Sequence, residues 1–384
     1  MVSGSVNTDR GDSGSSTGPR SAGPDVMGAV GGKTNATGRA LLLAPSRGLG
    51  GGIERYVETL EWAFAAQGVT CQRVDLNQAG ARSHMAMATD GRRLLRLSPE
   101  PARLIVGHRA LLPVATLLAR EATVCGMSVL CHGSEMWDVR LRPRRTIERG
   151  MMRRKGVRVI AVSSFTAGTL ASDCHATILP PALSKDWFKT LAGAATAVRD
   201  PAPGIRLATT FRLARWREKG LPQLIEAVEA LGRRDIHLTI CGSGDPPPEL
   251  LQLVAGHGWC TLRAGVSDPE LAHQLAAADL FVLATRTRVG RRPCGEGFGL
   301  VLLESQAAGT PVIVPAHGGS SDAYVEGVTG VAPTDETAEA LTRLLGETLE
   351  NPARLAWMGK RSAEWARESF APERYAQLVA SRLL

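Results

Sequence analysis

The run Cys294-Gly295-Glu296-Gly297-Phe298-Gly299-Leu300-Val301-Leu302-Leu303-Glu304, continuing Ser305-Gln306-Ala307-Ala308-Gly309-Thr310-Pro311-Val312, is the most informative stretch of the 384-residue chain. Glycines alternate with Glu296 and Phe298 and then give way to apolar helix formers, which predicts a loop opening a helix near Gly299–Ala308. The free amides at such a helix start, at the positive end of its dipole, suit phosphate or hydroxyl oxygens. If the stretch is mostly helical, Glu296 and Glu304 stand on the order of 10 Å apart, whereas a retaining glycosidase pair needs about 5–5.5 Å. Carboxylates so placed grip two ends of one extended ligand.

Working outward, short apolar strands alternate with amphipathic helices on both sides of this loop. Towards the N-terminus the strands are expected at Ala40–Ala44, Thr70–Asp75, Leu104–Val106, Ser128–Cys131 and Arg158–Val162. A polar, proline-bearing stretch interrupts the rhythm, which restarts with strands at Arg206–Thr210, Ile236–Cys241, Thr261–Arg263, Leu280–Ala284 and Val312–Pro315. This is the pattern of two parallel, doubly wound α/β sheets in series, with ligands beyond the carboxyl ends of the strands and one site in the cleft between them. The expected organisation is a disordered tail over 1–38, a first Rossmann-like domain over 39–182, a linker over 183–203, a second Rossmann-like domain over 204–370 and a terminal helix over 371–384. Gly31-Gly32-Lys33-Thr34 in the tail misses a phosphate-binding loop, because the first required glycine falls on Met27 and no strand precedes it.

Length agrees with two domains of about 150 residues each. A composition 44% hydrophobic and 21% charged excludes bulk disorder. No window approaches the roughly 20 apolar residues of a membrane span and no apolar leader opens the chain, so a cytoplasmic protein is expected, with membrane contact disfavoured. The net charge of +8 comes from 45 basic residues, nearly all arginine and scattered, while aromatics are only 4%. Nucleic acid is therefore not the expected partner, and a polyanionic small molecule is. Seven cysteines, without a C-x-x-C pair, read as reduced thiols.

Two further places carry chemistry. The first strand runs into Gly48-Leu49-Gly50-Gly51-Gly52-Ile53-Glu54, which misses a dinucleotide fingerprint because Ile53 stands where the third glycine belongs, and remains a loop for close backbone approach at a helix start. His132-Gly133-Ser134-Glu135, with Asp138, follows the predicted strand ending at Cys131 and so lies at the cleft edge.

Taken together, Glu296-x7-Glu304, Ala307-Ala308-Gly309-Thr310-Pro311-Val312, Gly318-Gly319, Gly50–Gly52, His132-Gly133, Ala161-Val162-Ser163, Arg212 with Lys219-Gly220, Gly242-Ser243-Gly244 and Ala278-Asp279-Leu280 closely resemble the retaining family-4 glycosyltransferases of GT-B fold, over about residues 39–384. The resemblance implies catalytic roles for His132, Glu296, Arg212 and Lys219. Glu296 would hold hydroxyls of the donor sugar, His132 would face that sugar, and Arg212 and Lys219 would neutralise the leaving diphosphate. Donor-binding roles are implied for Gly51, Gly52, the amides of Gly297, Phe298, Gly299 and Leu300, and Glu304, which would accept from the ribose. The family commonly has five positions from Arg to Lys and this chain has seven, so Arg215 or Arg217 is expected to share the diphosphate. With no D-x-D in the chain, no metal and no cofactor are expected.

Within the family, Phe211–Trp216, Lys219–Pro222, Cys241–Pro246 and Ala284–Arg288 resemble actinobacterial enzymes of aminoglycoside antibiotic assembly acting on paromamine-type 2-deoxystreptamine acceptors. The implied reaction moves a hexose from a UDP-sugar to a hydroxyl of such a pseudodisaccharide. A cationic aminocyclitol needs carboxylates on the first domain, and the candidates are Glu54, Glu58, Glu135 and Asp138. Three alternatives stand beside it: a lipid or cell-surface glycan acceptor, a nucleotide-sugar epimerase, and a non-catalytic regulator, which would have shed Glu296 or His132.

Overall fold

The computed structural model describes residues 38–47, 51–76, 80–137, 143–196, 204–290 and 293–384. The expected tail falls outside the described residues up to position 37, as do Gly50 and Asp138.

Strand β1 (Arg39–Ala44) is buried at every position, as a central strand covered on both faces must be. It is followed by α1 (Gly52–Ala66), β2 (Thr70–Asp75), α2 (Ala81–Arg96), β3 (Ala102–Val106), α3 (Leu112–Leu118), β4 (Val124–Cys131), α4 (Pro143–Met152), β5 (Val157–Ala161), α5 (Ser164–Leu170) and β6 (Ala176–Ile178). These six strands form one parallel sheet of order β2-β1-β3-β4-β5-β6. After α6 (Lys185–Thr196) come β7 (Ile205–Arg212), α7 (Leu221–Ala230), β8 (Ile236–Ser243), α8 (Pro248–Ala255), β9 (Cys260–Ala264), α9 (Asp268–Ala277), β10 (Leu280–Val282), α10 (Leu300–Ala307), β11 (Val312–Ile313) and β12 (Gly330–Val331). They build a second parallel sheet, β12-β11-β10-β7-β8-β9, and α11 (Ala338–Leu349), α12 (Pro352–Ser369) and α13 (Pro372–Leu383) close the chain.

The order reverses between β1 and β3 in the first sheet and between β7 and β10 in the second. Crevices at such reversals are where doubly wound sheets hold ligands. The GT-B architecture is thus two doubly wound sheets whose strand ends present the loops after β1, β3, β7 and β10 to a common cleft.

One apolar cluster runs through both halves, joining Tyr56 and Phe64 of α1, Leu191 of α6, Leu302 and Leu303 of α10, and Tyr375 and Leu383 of α13. Two others fill the outer face of each sheet, one around Leu104, Leu112 and Trp137, the other around Ile225, Ile240 and Leu345. The stretch expected as a linker over 183–203 differs from that expectation, since its first part is α6, whose Trp187 and Leu191 are one helical turn apart and buried in the shared cluster. Helix α13 lies against α1, and its Leu383 carbonyl accepts from Ser128 Oγ of β4 at 3.0 Å. Helix α2 has no counterpart in the sequence reading. Its interior Gly91 is small because a Cβ there would lie 2.7 Å from Leu118, while Ala, Arg, Met and Leu, all good helix formers, fill most of the rest.

Candidate functional site

Arg212 ends β7 at the second sheet's reversal, and across the cleft Gly51 stands at φ +101° as the residue before α1. A Cβ on Gly51 would fall 2.7 Å from the Arg212 guanidinium, so the glycine lets a cation of one sheet meet the loop of the other. Beyond Arg212 a short 3-10 turn, Leu213–Arg215, absorbs the two extra positions of the Arg-to-Lys spacing. Arg215 pairs with Glu218 at 2.5 Å and Arg217 lies over the Trp216 ring at 4.0 Å, both exposed. Lys219 is the residue that reaches the loop after β10, where its Nζ pairs with Glu296 Oε1. The same oxygen accepts from Thr285 Oγ1 at 3.0 Å. Thr285, 2% exposed, enters the sequence reading only as part of the stretch Ala284–Arg288, without a site role.

The glycines around Glu296 are spacers between the two sheets. A Cβ on Gly297 would overlap the His132 carbonyl, and one on Gly133 would lie 2.7 Å from Gly297 Cα. Gly319 donates its N–H to the Glu296 carbonyl at 2.9 Å. Gly299, at φ +85°, starts α10, so the expected helix begins at Leu300, and only this second part of the Glu296-to-Glu304 stretch is helical. Phe298 is 3% exposed with its ring against Phe370, leaving its backbone to the cleft side. Gly52 is exposed at the first position of α1.

His132 leaves β4 with its Nε2 2.7 Å from the Gly107 carbonyl, so Nε2 donates to that oxygen. The Tyr56 ring meets its face edge-on with centroids 5.7 Å apart, and His108 stacks at 6.0 Å. His108 accepts from the Ala110 N–H at 3.1 Å, and burial lowers its pKa, so it stands neutral. Glu135 accepts from the His132 N–H at 2.5 Å. Its expected acceptor role therefore shares the side chain with a positioning one. Glu54 is 7% exposed on α1, while Glu58 one turn on is exposed and has a pKa raised by partial burial and by Glu54.

Glu304 sits deeper than a solvent-facing nucleotide ligand. It is 5% exposed, and its Oε1 accepts from Trp187 Nε1 at 3.0 Å and lies 3.7 Å from Arg55 Nε. Burial raises its pKa, against the opposing pull of Arg55 and Trp187. Arg55 and Trp187 are a second omission of the sequence reading. A second contact between the sheets, Asp322 accepting from the N–H and Oγ of Ser164, both at 2.6 Å, was also not foreseen. Among the described residues no group of three or more His, Cys, Asp or Glu is placed to hold a metal ion, and all seven cysteines are free thiols.

Residues 211–365 match the family model described as glycosyl transferases group 1. The chain is 30% identical to a GDP-mannose-dependent alpha-(1-6)-phosphatidylinositol monomannoside mannosyltransferase of Mycolicibacterium smegmatis, over 86% of this chain and 95% of that one. A D-inositol 3-phosphate glycosyltransferase of Pseudarthrobacter chlorophenolicus is 34% identical over 55% of this chain and 52% of its own length. Among solved structures, HepE of Anabaena in complex with UDP and glucose superposes with a TM-score of 0.66 at 15% identity, covering 89% of this chain and 98% of that one. With two doubly wound sheets meeting at Glu296, Lys219 and Arg212, and with a relative of this extent, the chain belongs to the group 1 glycosyl transferases and is a glycosyltransferase.

Proposed function

We propose that this chain is a retaining, metal-independent hexosyltransferase that uses a UDP-hexose and glycosylates a hydroxyl of a 2-deoxystreptamine-containing pseudodisaccharide such as paromamine. The observation that carries the transfer chemistry is the placement of two cations at the cleft, Arg212 against Gly51 of the first sheet and Lys219 on Glu296 in the loop leading into α10. When the bond between anomeric carbon and diphosphate breaks, the ring becomes positive and the diphosphate negative. Arg212, Lys219 and the first-turn amides of α10 stabilise that negative charge without reorganising. Glu296, held by Lys219 and Thr285, orients the sugar hydroxyls. The departing phosphate oxygen takes the proton of the acceptor hydroxyl on the face where the new glycosidic bond forms, so configuration is retained without a protein nucleophile.

The acceptor class is argued from charge. Among the described residues, Arg47, Arg73 and Arg109 near the first sheet's strand ends are paired with carboxylates: Arg47 with Asp75 at 3.1 Å, Arg73 with Glu61 and Asp75 at 2.6 Å each, and Arg109 with Glu148 at 3.4 Å. Glu58 and Glu135 add carboxylates to this side of the cleft. Such a surface favours ammonium groups over a phosphate. A second reading, transfer from GDP-mannose to a phosphoinositide, is favoured by the activity for which the M. smegmatis relative is named. Cyclitol rings are common to both acceptor classes; the charge they carry is not. Among the described residues no helix is long and apolar enough to cross a membrane.

The test is one matrix: UDP- and GDP-hexoses against paromamine and a phosphoinositide, with and without EDTA, read as product mass and anomeric configuration. A UDP-dependent, EDTA-insensitive α-linked paromamine product is expected. Transfer to the phosphoinositide alone overturns the acceptor, inversion overturns the mechanism, and loss with EDTA restored by Mg²⁺ or Mn²⁺ overturns metal independence.

A further inference from the structure

Arg55 occupies the first turn of α1, where the positive end of the helix dipole disfavours a cation. It is nevertheless engaged by three groups that belong elsewhere. Its NH2 and NH1 meet the two oxygens of Asp268, at the start of α9, at 2.5 and 3.3 Å. Its Nε lies 3.7 Å from Glu304 of α10, and its guanidinium lies 4.7 Å from the centroid of the Trp187 ring on α6. Trp187 in turn donates to the same oxygen of Glu304. One side chain of the first sheet's leading helix thus gathers two carboxylates from the second sheet and an indole between them.

We propose that Arg55 is a positioning residue for the donor: it holds the buried Glu304 carboxylate in place for the ribose hydroxyls and so couples the contact between the two sheets to nucleotide binding. The inference rests on the reading that Glu304 meets the ribose. Its physical basis is that a buried carboxylate keeps its charge only beside a compensating group. The groups facing Glu304 are Arg55 from α1, Trp187 from α6 and Asp268 from α9, and of these only Arg55 is a cation. Burial and Asp268 push the Glu304 carboxyl up; Arg55 and Trp187 pull it down. Because Arg55 comes from the other sheet, a Glu304 ready to accept two ribose hydroxyls exists only while the sheets are together. Asp268, the more exposed carboxylate, fixes the guanidinium so that its Nε faces Glu304.

The experiment compares Arg55→Met, Arg55→Lys, Asp268→Asn and Glu304→Gln in the full chain, with donor KM, acceptor KM and kcat measured across pH and thermal midpoints alongside. Arg55→Met is expected to raise donor KM about tenfold and leave kcat at saturating donor and acceptor KM near the parent. Its donor KM should also climb at a higher pH than the parent's as acid is added, because Glu304 without its cation protonates sooner. Arg55→Lys should recover most of both effects, and a merely structural side chain would not move the pH profile. Parent-like donor KM and pH profile in Arg55→Met overturn the proposal. If Glu304→Gln weakens donor while Arg55→Met does not, the coupling alone falls. If Glu304→Gln leaves donor KM unchanged, the ribose reading falls with it. Should Arg55→Met be too unstable to compare, Asp268→Asn decides: a rise in donor KM of about twofold is expected, and a parent-like value overturns the proposal.

Discussion

The ends of β7 and β10 and the ends of β1, β3 and β4 face each other but are furnished differently. The second sheet supplies two cations, a run of amides and two carboxylates, Glu296 and Glu304, from short pieces of sequence, 212–219 and 285–304, with glycines where its backbone must touch the first sheet. The first sheet supplies imidazoles and carboxylates a few at a time, from the loop after β1, the start of α1, the loop after β3 and the loop after β4. A diphosphate is held by backbone amides and point charges, so its site is written into contiguous sequence. A hydroxylated acceptor is held by side chains from several loops, and no single stretch spells it out.

The contrast breaks most visibly at the cations. Lys219→Ala and Arg212→Ala are each expected to lower kcat by about 10²–10³, since each removes a fixed donor from the developing diphosphate charge. Steady-state rates with saturating donor check this, and activity within threefold of the parent would show that the helix amides suffice. Glu296→Ala should lower turnover more than it weakens nucleotide binding if the carboxylate meets the sugar as proposed, and isothermal titration with the free nucleoside diphosphate separates the two.

Next in size is the backbone contact between the sheets. Gly297→Ala places a methyl where the His132 carbonyl stands. The sheets must shift apart, and a misplacement of about 1 Å costs on the order of a hundredfold in rate. Gly168→Ala, where a Cβ meets nothing within 4 Å, is the control and should be silent. Equal activity of the two variants would remove the claim that the motif's glycines are spacers.

The same contrast explains what was readable beforehand. Both parallel sheets follow from apolar runs, whereas the pairing of Lys219 with Glu296 was not foreseen, since the resemblance turned each of them towards the donor and not towards each other. Helix α2 has a helical pattern, with Met87, Ala88, Gly91 and Leu95 buried on one face, that the sequence reading did not use, while α6 stayed hidden because prolines surround it and only Trp187 and Leu191 mark its buried side. Thr285, Arg55 and Asp322 were missed for another reason. Each acts on a residue distant in sequence, Glu296, Glu304 and Ser164, and no local spacing records a contact made by tertiary packing. The expected sharing of the diphosphate by Arg215 or Arg217 also turned on such packing, since Glu218 and the Trp216 ring engage them on the surface.

The smallest effect tests the acceptor side, where Glu135 has two duties that substitution can separate. Its Oε1 accepts the His132 N–H, a duty that a glutamine oxygen can also perform, while only the carboxylate attracts an ammonium group. Glu135→Gln is therefore expected to raise the KM for an aminocyclitol about tenfold, the loss of one charged contact, with kcat and donor KM close to the parent. Glu58→Gln, on α1, should do the same. Since partial burial and Glu54 raise the Glu58 pKa, the parent's acceptor KM should rise as pH falls through that raised value, where the carboxyl protonates and its attraction is lost. Glu135→Ala removes both duties, so kcat should fall as well when the turn carrying His132 loosens. If Glu135→Gln and Glu135→Ala behave alike, with kcat reduced and acceptor KM untouched, the side chain serves His132 alone. The first sheet's negative charge would then have to act through Glu58 and its neighbours, and Glu58→Gln would carry the whole case for a cationic acceptor.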